Sequence, residues 1–143
     1  MSKEPLHIVL GEDNAGDAAL MNITLRCECE HFTLHRAKDG HALKHYLLGK
    51  APFQRRIIPD IILLDLHLPK LDGFDILELI NSTPHLLHSY VCILSGTEDT
   101  RKREICQAMG AHAFVTKPMR GHECQHMLRH YHERQMRLMR SVA

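Results

Sequence analysis

Residues 60–65 read DIILLD, an uninterrupted apolar run enclosed by two acidic residues. Such a run is typical of a strand buried on both faces of a parallel sheet, because helices cover these sheets on both sides. A segment of helical periodicity begins after LPKLDG at residues 68–73. We therefore expect residues 60–65 to form the central strand of an α/β domain.

Outward from this strand, short β-rich runs alternate with longer segments of helical period. Parallel strands need crossover connections, which run right-handed, so the alternation predicts a doubly wound α/β fold with a five-stranded parallel sheet and helices on both faces. The other predicted strands cover residues 6–10, 32–36, 91–94 and 113–115. The predicted helices are 15–28, one capped by Asp39, one ended by Pro84 with Phe74, Leu77 and Ile80 inward, 98–109 stopped by Gly110, and a long last helix to about residue 140.

The length and composition of the chain fit one domain. With 143 residues, of which 44% are hydrophobic and 24% charged, the chain has the size and balance of a soluble, core-forming unit. No repeat, low-complexity tract or linker divides it. We expect a single domain over residues 1–143, with its core at about residues 5–130.

Composition also bounds the location and the partners. The N-terminal sequence MSKEPLHIVL has no signal-peptide pattern and no apolar run is long enough to span a bilayer, so we expect a cytoplasmic protein without a membrane segment. The net charge of +1 gives no reason to expect nucleic-acid binding, which favours protein partners. The five cysteines are odd in number and form no CxxC pair, so we expect reduced thiols.

Three acidic residues lie at predicted strand ends. Glu12 and Asp13 follow the first strand, and Asp65 ends the third. Ligands of doubly wound sheets bind beyond the carboxyl ends of the strands, so these acids should converge at one edge. Like charges at close range oppose each other's ionisation, and such a cluster usually holds a metal or shares a proton. Because all the donors are oxygens, Mg²⁺ is the ion that fits.

The same edge receives a hydroxyl and an ammonium group. The fourth predicted strand ends at Ser95, and the fifth is followed by Thr116 and Lys117. Asp65 can act as a nucleophile, Lys117 can neutralise charge on a phosphoryl group, and Ser95 can donate a hydrogen bond to it. The set therefore indicates a phosphoryl-transfer site.

Four segments in order carry a resemblance to the response-regulator receiver domain of two-component signalling. They are GEDN at 11–14, IILLDLHLPKLDGFD at 61–75, ILSG at 93–96 and AFVTKP at 113–118. The resemblance implies a flavodoxin-like strand order of 2-1-3-4-5. In addition, GEDNAGDAALM at 11–21 is similar to the small single-domain regulators that are paired with bacterial phytochromes.

The resemblance assigns roles to the acidic residues. It implies that Asp65 is the phosphoacceptor, and that Mg²⁺ or Mn²⁺ is bound by Glu12, Asp13, Asp65 and the backbone carbonyl of His67. Glu12 stands where the family more often has Asp, which lengthens one ligand arm and keeps its charge. The His67 side chain lies two residues beyond the acceptor, where we expect it to affect the lifetime of the phosphoryl group.

The resemblance also implies a switch. Ser95 is the hydroxyl switch residue, Lys117 contacts the phosphoryl group, and the peptide between Lys117 and Pro118 is cis in the family. Phe114 stands at the rotating aromatic position and lacks the hydroxyl of tyrosine. Phosphorylation would draw Ser95 toward the phosphoryl group, let Phe114 pack inward and so change the face made by the fourth helix, fifth strand and fifth helix.

The implied partners are proteins. The phosphodonor is a sensor histidine kinase, and the subfamily likeness implies one of the phytochrome type. We expect no output domain after the receiver, so the signal passes to an unidentified downstream protein or to a second copy of the chain. The length of the last helix favours homodimerisation through it.

Two other functions remain open. The first is an aspartate-nucleophile phosphatase, which requires a second acid two residues after the nucleophile, where this chain has His67. The chain also lacks the glycine-rich phosphate loops GxGxxG and GxxxxGK. The second is an adaptor that keeps the receiver fold without phosphorylation, against which the complete set of acids, hydroxyl and lysine argues.

The same residues also have simpler structural interpretations. Glu12 and Asp13 can form a helix-capping turn, Ser95 can cap the helix that follows it, and Phe114 can be an ordinary core aromatic. Three histidines of the last helix have a spacing that suits a transition metal, but helical geometry puts them opposite its apolar side, so we expect a solvated face. They are His122, His126 and His130.

Overall fold

The computed structural model describes residues 4–49 and 57–142, which form a five-stranded parallel sheet with helices on both faces. The strand order β2-β1-β3-β4-β5 confirms the predicted fold class. The strands are β1 (Leu6–Gly11), β2 (Phe32–Ala37), β3 (Ile61–Asp65), β4 (Tyr90–Ser95) and β5 (Ala113–Thr116). The helices are α1 (Ala15–Glu28), α2 (Gly40–Leu48), α3 (Gly73–Asn81), α4 (Thr100–Ala108) and α5 (Gly121–Val142), with a 3-10 turn at Pro84–Leu86.

Strand β3 is the centre of the sheet, as its sequence predicts. It pairs with β1 on one side and β4 on the other, and all five of its residues are buried. It begins at Ile61, one residue later than predicted, although the Asp60 backbone also bonds to both neighbouring strands. The Asp60 backbone N–H donates to the carbonyl oxygen of His7 at 2.8 Å, and its carboxylate accepts from the backbone N–H of His7 at 2.8 Å.

The side chains of β3 divide between two cores. Ile62 and Leu64 pack on the face covered by α2 and α3, whereas Ile61 and Leu63 pack on the face covered by α1 and α5. Each of these side chains is fully buried, and burial of an aliphatic side chain of this size stabilises a fold by about 1.5–3 kcal/mol. Both faces therefore hold the central strand, and with it the position of Asp65.

Local hydrogen bonds move the ends of two helices from their predicted places. Helix α4 begins at Thr100 and not at residue 98, because the Asp99 side chain accepts from the backbone N–H groups at the helix start. Helix α3 ends at Asn81, and Pro84 begins a separate 3-10 turn instead of ending the helix. On α3, Phe74 is only partly buried, and Ile76 is fully buried in its place.

Helix α5 buries one side, as predicted, with one exception among its histidines. Cys124, Leu128 and Tyr131 are buried, while His122 and His126 are exposed. His130 was expected to be exposed too, but it is partly buried and its Nδ1 atom shares a hydrogen bond of 2.9 Å with the Tyr90 hydroxyl. None of the described helices combines the length and the apolar character that a membrane crossing requires.

A second histidine without a predicted role joins β4 to β5. The backbone N–H of His112 donates to the Val91 carbonyl at 2.8 Å, and its Nδ1 accepts from the Val91 N–H at 3.0 Å. Its ring stacks on Tyr90 with centroids 5.0 Å apart. Burial lowers the pKa of His112 to about 4, and the nearby Arg134 and His130 act in the same direction.

Because the folded state resists protonation of His112, stability should fall as pH falls from 6.5 to about 4. Above pH 6.5 His112 is neutral in both the folded and the unfolded state. Between pH 6.5 and about 4 only the unfolded chain takes up the proton. We expect His112→Gln to be less stable than the parent by about 1–2 kcal/mol at neutral pH, and the gap to narrow toward acid pH. Urea unfolding followed by far-UV circular dichroism measures the free energy of unfolding of both proteins at each pH.

The control for this comparison is His126→Gln, a change on the exposed face of α5. It should alter the free energy of unfolding by no more than about 0.5 kcal/mol at neutral pH. A constant gap between His112→Gln and the parent at every pH would contradict the assignment.

Candidate functional site

Three carboxylates meet at the carboxyl edge of the sheet. Glu12 follows β1, Asp65 is the last residue of β3, and the two strands are parallel neighbours. Glu12 is 1% and Asp65 3% exposed, whereas Asp13 faces the solvent. Each of the three offers an oxygen that lies within 4.8 Å of those of the other two. Their closeness leaves a concentration of negative charge at this edge.

The ammonium group of Lys117 lies among the acidic side chains. Its Nζ atom is 2.7 Å from Asp65 Oδ2, 3.0 Å from Glu12 Oε1 and 3.3 Å from Asp17 Oδ2. The Lys117 backbone N–H donates to the Ser95 carbonyl at 2.7 Å, which fixes the residue at the end of β5. The Lys117–Pro118 peptide is cis. One cation therefore contacts three carboxylates, two of which are buried.

The electrostatics of the cluster are only partly balanced. Burial raises the pKa of Glu12, although the Lys117 ammonium and the Asn14 N–H oppose the rise. Burial alone would lower the pKa of Lys117, but its hydrogen bonds to Asp65 and Glu12 outweigh burial and raise that pKa above its ordinary value. Lys117 thus stays charged, while ionisation of Glu12 is still unfavourable. A further positive charge at the cluster would favour that ionisation.

The donor set fits a divalent cation. Glu12, Asp13 and Asp65 supply oxygen only, which suits a hard ion such as Mg²⁺. Among residues 4–49 and 57–142, no other group of three His, Cys, Asp or Glu side chains brings its ligand atoms together in this way.

Both oxygens of Asp65 have a hydrogen-bond partner. Oδ2 accepts from Lys117, and Oδ1 accepts from the backbone N–H of His67 at 2.9 Å. The His67 side chain is exposed. The sequence predicted a role for the His67 carbonyl but not for its N–H group. The carboxylate is thus held in one orientation at the end of the central strand.

Ser95 is fully buried at the end of β4. Its hydroxyl donates to the Thr97 carbonyl at 2.8 Å, and it accepts from the Thr97 N–H at 3.3 Å. The alternative that Ser95 caps the next helix is wrong, because Asp99 caps α4. Phe114 is 9% exposed in the core on the α2 and α3 side, with the Arg103 guanidinium 5.1 Å from the centre of its ring.

Sequence reasoning missed two residues of the site. Asp17 lies in the first turn of α1, three residues after the cap Asn14. This position near the strand end is the only sign in the sequence that Asp17 belongs to the site. Arg36, near the end of β2, donates to the carbonyl oxygens of Glu12 and Asp13 at 2.9 and 3.0 Å. Nothing in the sequence around Arg36 indicates these contacts, because they depend on the pairing of β2 with β1.

Comparison with known proteins decides the family. The model of the response regulator receiver domain matches residues 8–129 of the chain. The chain belongs to this family. Receiver domains are typically phosphoacceptors and not enzymes, and their phosphodonors are histidine kinases.

Relatives and solved structures are regulators of the same kind. The chain is 28% identical over 116 residues to the response regulator Rcp1 of Synechocystis sp., a match that covers 81% of this chain and 79% of that one. The bacteriophytochrome response regulator AtBRR has a TM-score of 0.80 at 28% identity, with 91% and 94% of the two chains covered. The phosphorylated cyanobacterial phytochrome regulator RcpA has a TM-score of 0.76 at 28% identity, with 86% and 89% covered. Three other curated relatives are much longer proteins, of which the chain matches a quarter or less.

If Lys117 offsets the charge of the buried acids, Lys117→Met should destabilise the metal-free protein at neutral pH by about 2–3 kcal/mol. Without the ammonium the folded-state pKa of Glu12 rises further, so the loss should shrink as pH falls toward the unfolded value of 4.5 for Glu12. Urea unfolding in the presence of a chelator measures the loss at each pH.

Lys70→Met is the matched control. Lys70 is 58% exposed and its Nζ lies 3.4 Å from Asp39, so its removal should cost less than about 1 kcal/mol. Equal losses for the two lysines would show that Lys117 is an ordinary surface cation.

Proposed function

We propose that Asp65 accepts a phosphoryl group from the phosphohistidine of a sensor histidine kinase, and that the chain acts as a phosphorylation-dependent switch. The observation that carries the proposal is the setting of Asp65, which is buried at the end of β3 with one oxygen held by His67 N–H and the other by Lys117. Membership of the receiver family supports the same role.

The proposed reaction is a displacement at phosphorus. A carboxylate oxygen of Asp65 forms the new P–O bond, and the P–N bond to the donor imidazole breaks with its electron pair returning to the ring nitrogen. Lys117, now 2.7 Å from Asp65 Oδ2, is placed to neutralise an oxygen of the transferred group. The Ser95 hydroxyl, at the end of the neighbouring strand, can donate to another oxygen once it leaves Thr97.

The proposed metal is Mg²⁺ or Mn²⁺. Glu12, Asp13 and Asp65 would hold it through their carboxylates, together with the backbone carbonyl of His67, and their closeness in this structure supports the assignment. When bound, the ion neutralises charge on the phosphoryl oxygens. A solved structure of the relative Rcp1 is described as its Mn²⁺-bound form, with a TM-score of 0.75 and 27% identity.

We further propose that Ser95 and Phe114 carry the signal to the face formed by α4, β5 and α5. Phe114 is already in the core of the described structure, and its ring contacts Arg103 of α4. A change at Ser95 and Phe114 would therefore alter the packing of α4 on β5. The output would be a protein contact, either with a downstream partner or with a second copy through α5, and not with nucleic acid.

The proposed donor is a kinase of the phytochrome type, because the similar regulators AtBRR and RcpA are described as phytochrome response regulators. The proposed location is the cytoplasm, where such a kinase presents its phosphohistidine. All five cysteines carry free thiols, which suits a reducing compartment. The chemistry of the chain would be limited to its own phosphorylation and dephosphorylation.

The acceptor is tested by incubating the parent and Asp65→Asn with acetyl phosphate and Mg²⁺ and measuring intact mass. We expect the parent alone to gain the mass of one phosphoryl group, because asparagine lacks the nucleophilic carboxylate. When a chelator replaces Mg²⁺ in the incubation, the parent should form no adduct.

Asp75→Asn is the matched control, since Asp75 is an exposed acid within the capping box of α3, and it should still form the adduct. An adduct on Asp65→Asn would place the acceptor elsewhere. Rapid hydrolysis of acetyl phosphate without any adduct would support a phosphatase, and complete inertness would support an adaptor.

The exposed His67 side chain follows the acceptor by two residues, where its imidazole can hinder an attacking water. We expect His67→Ala to shorten the half-life of the phosphorylated protein by about threefold, a change of less than about 1 kcal/mol in the barrier. Intact mass measured over time after removal of acetyl phosphate gives the rate.

His126→Ala, on the exposed side of α5, is the control and should keep the parent half-life. An unchanged or longer half-life for His67→Ala would remove the role assigned to this side chain.

A further inference from the structure

The loop that joins β1 to α1 carries two of the three acids at the carboxyl edge. Residues 12–14 lie between the end of β1 at Gly11 and the start of α1 at Ala15, outside any strand or helix. Glu12 and Asp13 therefore depend on contacts other than a regular backbone ladder for their position. The structure shows where those contacts come from.

Arg36 holds this loop from the neighbouring strand. Its Nε atom donates to the Glu12 carbonyl oxygen at 2.9 Å, and one terminal nitrogen donates to the Asp13 carbonyl oxygen at 3.0 Å. Arg36 pairs with Leu10 in the β1–β2 ladder, so its side chain extends along the end of β1. The planar guanidinium presents its donors in a fixed fork, which here spans two successive peptide groups.

Strand β2 thus holds Glu12 from both sides of its peptide. The Glu12 N–H donates to the Ala37 carbonyl at 3.1 Å, and the Glu12 carbonyl accepts from Arg36. The Asp13 side chain is exposed. The hydrogen bond from Arg36 to its carbonyl oxygen restrains the peptide unit from which the carboxylate extends. A charge-assisted hydrogen bond is about twice as strong as a neutral one.

We infer that Arg36 is a positioning residue for the metal site, because it fixes the backbone of the loop on which Glu12 and Asp13 converge with Asp65. This inference rests on the proposed function, and it gives a role in that function to a residue of the edge strand. Arg36 binds neither the ion nor the phosphoryl group. It holds the two acids in place before a cation binds, so that less conformational entropy is lost on binding.

The charge of Arg36 has the opposite effect from its geometry. A guanidinium bonded to the backbone carbonyls of Glu12 and Asp13 repels a divalent cation held by their carboxylates, so removing only the charge should strengthen metal binding. Arg36→Lys keeps the positive charge and loses the fork, whereas Arg36→Met loses both. The lysine variant therefore separates positioning from charge.

The test is a Mn²⁺ titration of the full chain followed by electron paramagnetic resonance, which reports free Mn²⁺ directly. We expect Arg36→Lys to raise the dissociation constant for Mn²⁺ about tenfold, as loss of a group that orients metal ligands does. Arg36→Met should raise it by less, because the lost repulsion of the cation offsets part of the lost positioning. The control Arg101→Lys changes an exposed arginine of α4 and should bind as the parent does. Urea midpoints for all four proteins verify that they are folded.

A kinetic readout accompanies the titration. With acetyl phosphate as donor, the Mg²⁺ concentration for half-maximal phosphorylation should rise about tenfold in Arg36→Lys, while the rate at saturating Mg²⁺ stays at the parent value. A general structural defect would instead lower the saturated rate.

The outcomes separate the inference from the proposed function. Parent-like Mn²⁺ binding by Arg36→Lys would overturn the positioning role while leaving the metal site intact. A parent chain that binds no Mn²⁺ would overturn the metal site itself, and the role of Arg36 with it.

Discussion

The ammonium of Lys117 is the contact on which the carboxyl edge of the sheet depends. Glu12 and Asp65 are almost fully buried, and each would repel the other if it were ionised without a cation nearby. The lysine comes from the far side of the sheet, after β5, and reaches both acids within hydrogen-bond distance. The edge is thereby tied together across four strands, from β1 through β3 and β4 to β5.

This arrangement requires the parallel sheet. Only a parallel ladder brings the ends of β1, β3, β4 and β5 to the same edge, and only a central strand that is apolar on both faces can be covered by helices on both sides. The hydrophobic residues of β3 thus serve the site indirectly. They set the position of Asp65, and the neighbouring strands supply the groups that surround it.

The sequence predicted the features that follow from periodicity and from strand ends. The strand order, the burial of β3 and the convergence of Glu12, Asp13 and Asp65 all have direct signals in the chain. The contacts of Arg36 have none, because they depend on strand register and on the reach of a long side chain.

The histidines outside the site show the same limit of sequence reasoning. His112 and His130 both contact Tyr90, which a spacing pattern cannot show, since the three residues lie in separate segments of the chain. Helical periodicity placed His130 on the solvated face, but a hydroxyl from the sheet reaches it there. Patterns along one element do not report a polar partner on another.

Tyr90 and Ser95 are the two ends of β4, and each is anchored in a different way. At the first end the Tyr90 hydroxyl is bonded to α5, and its ring lies between His112 and the helix. At the other end the Ser95 hydroxyl bonds only one short turn away, to Thr97. Both ends of the strand are therefore held by side-chain hydroxyls, the first against α5 and the second against the turn that leads to α4.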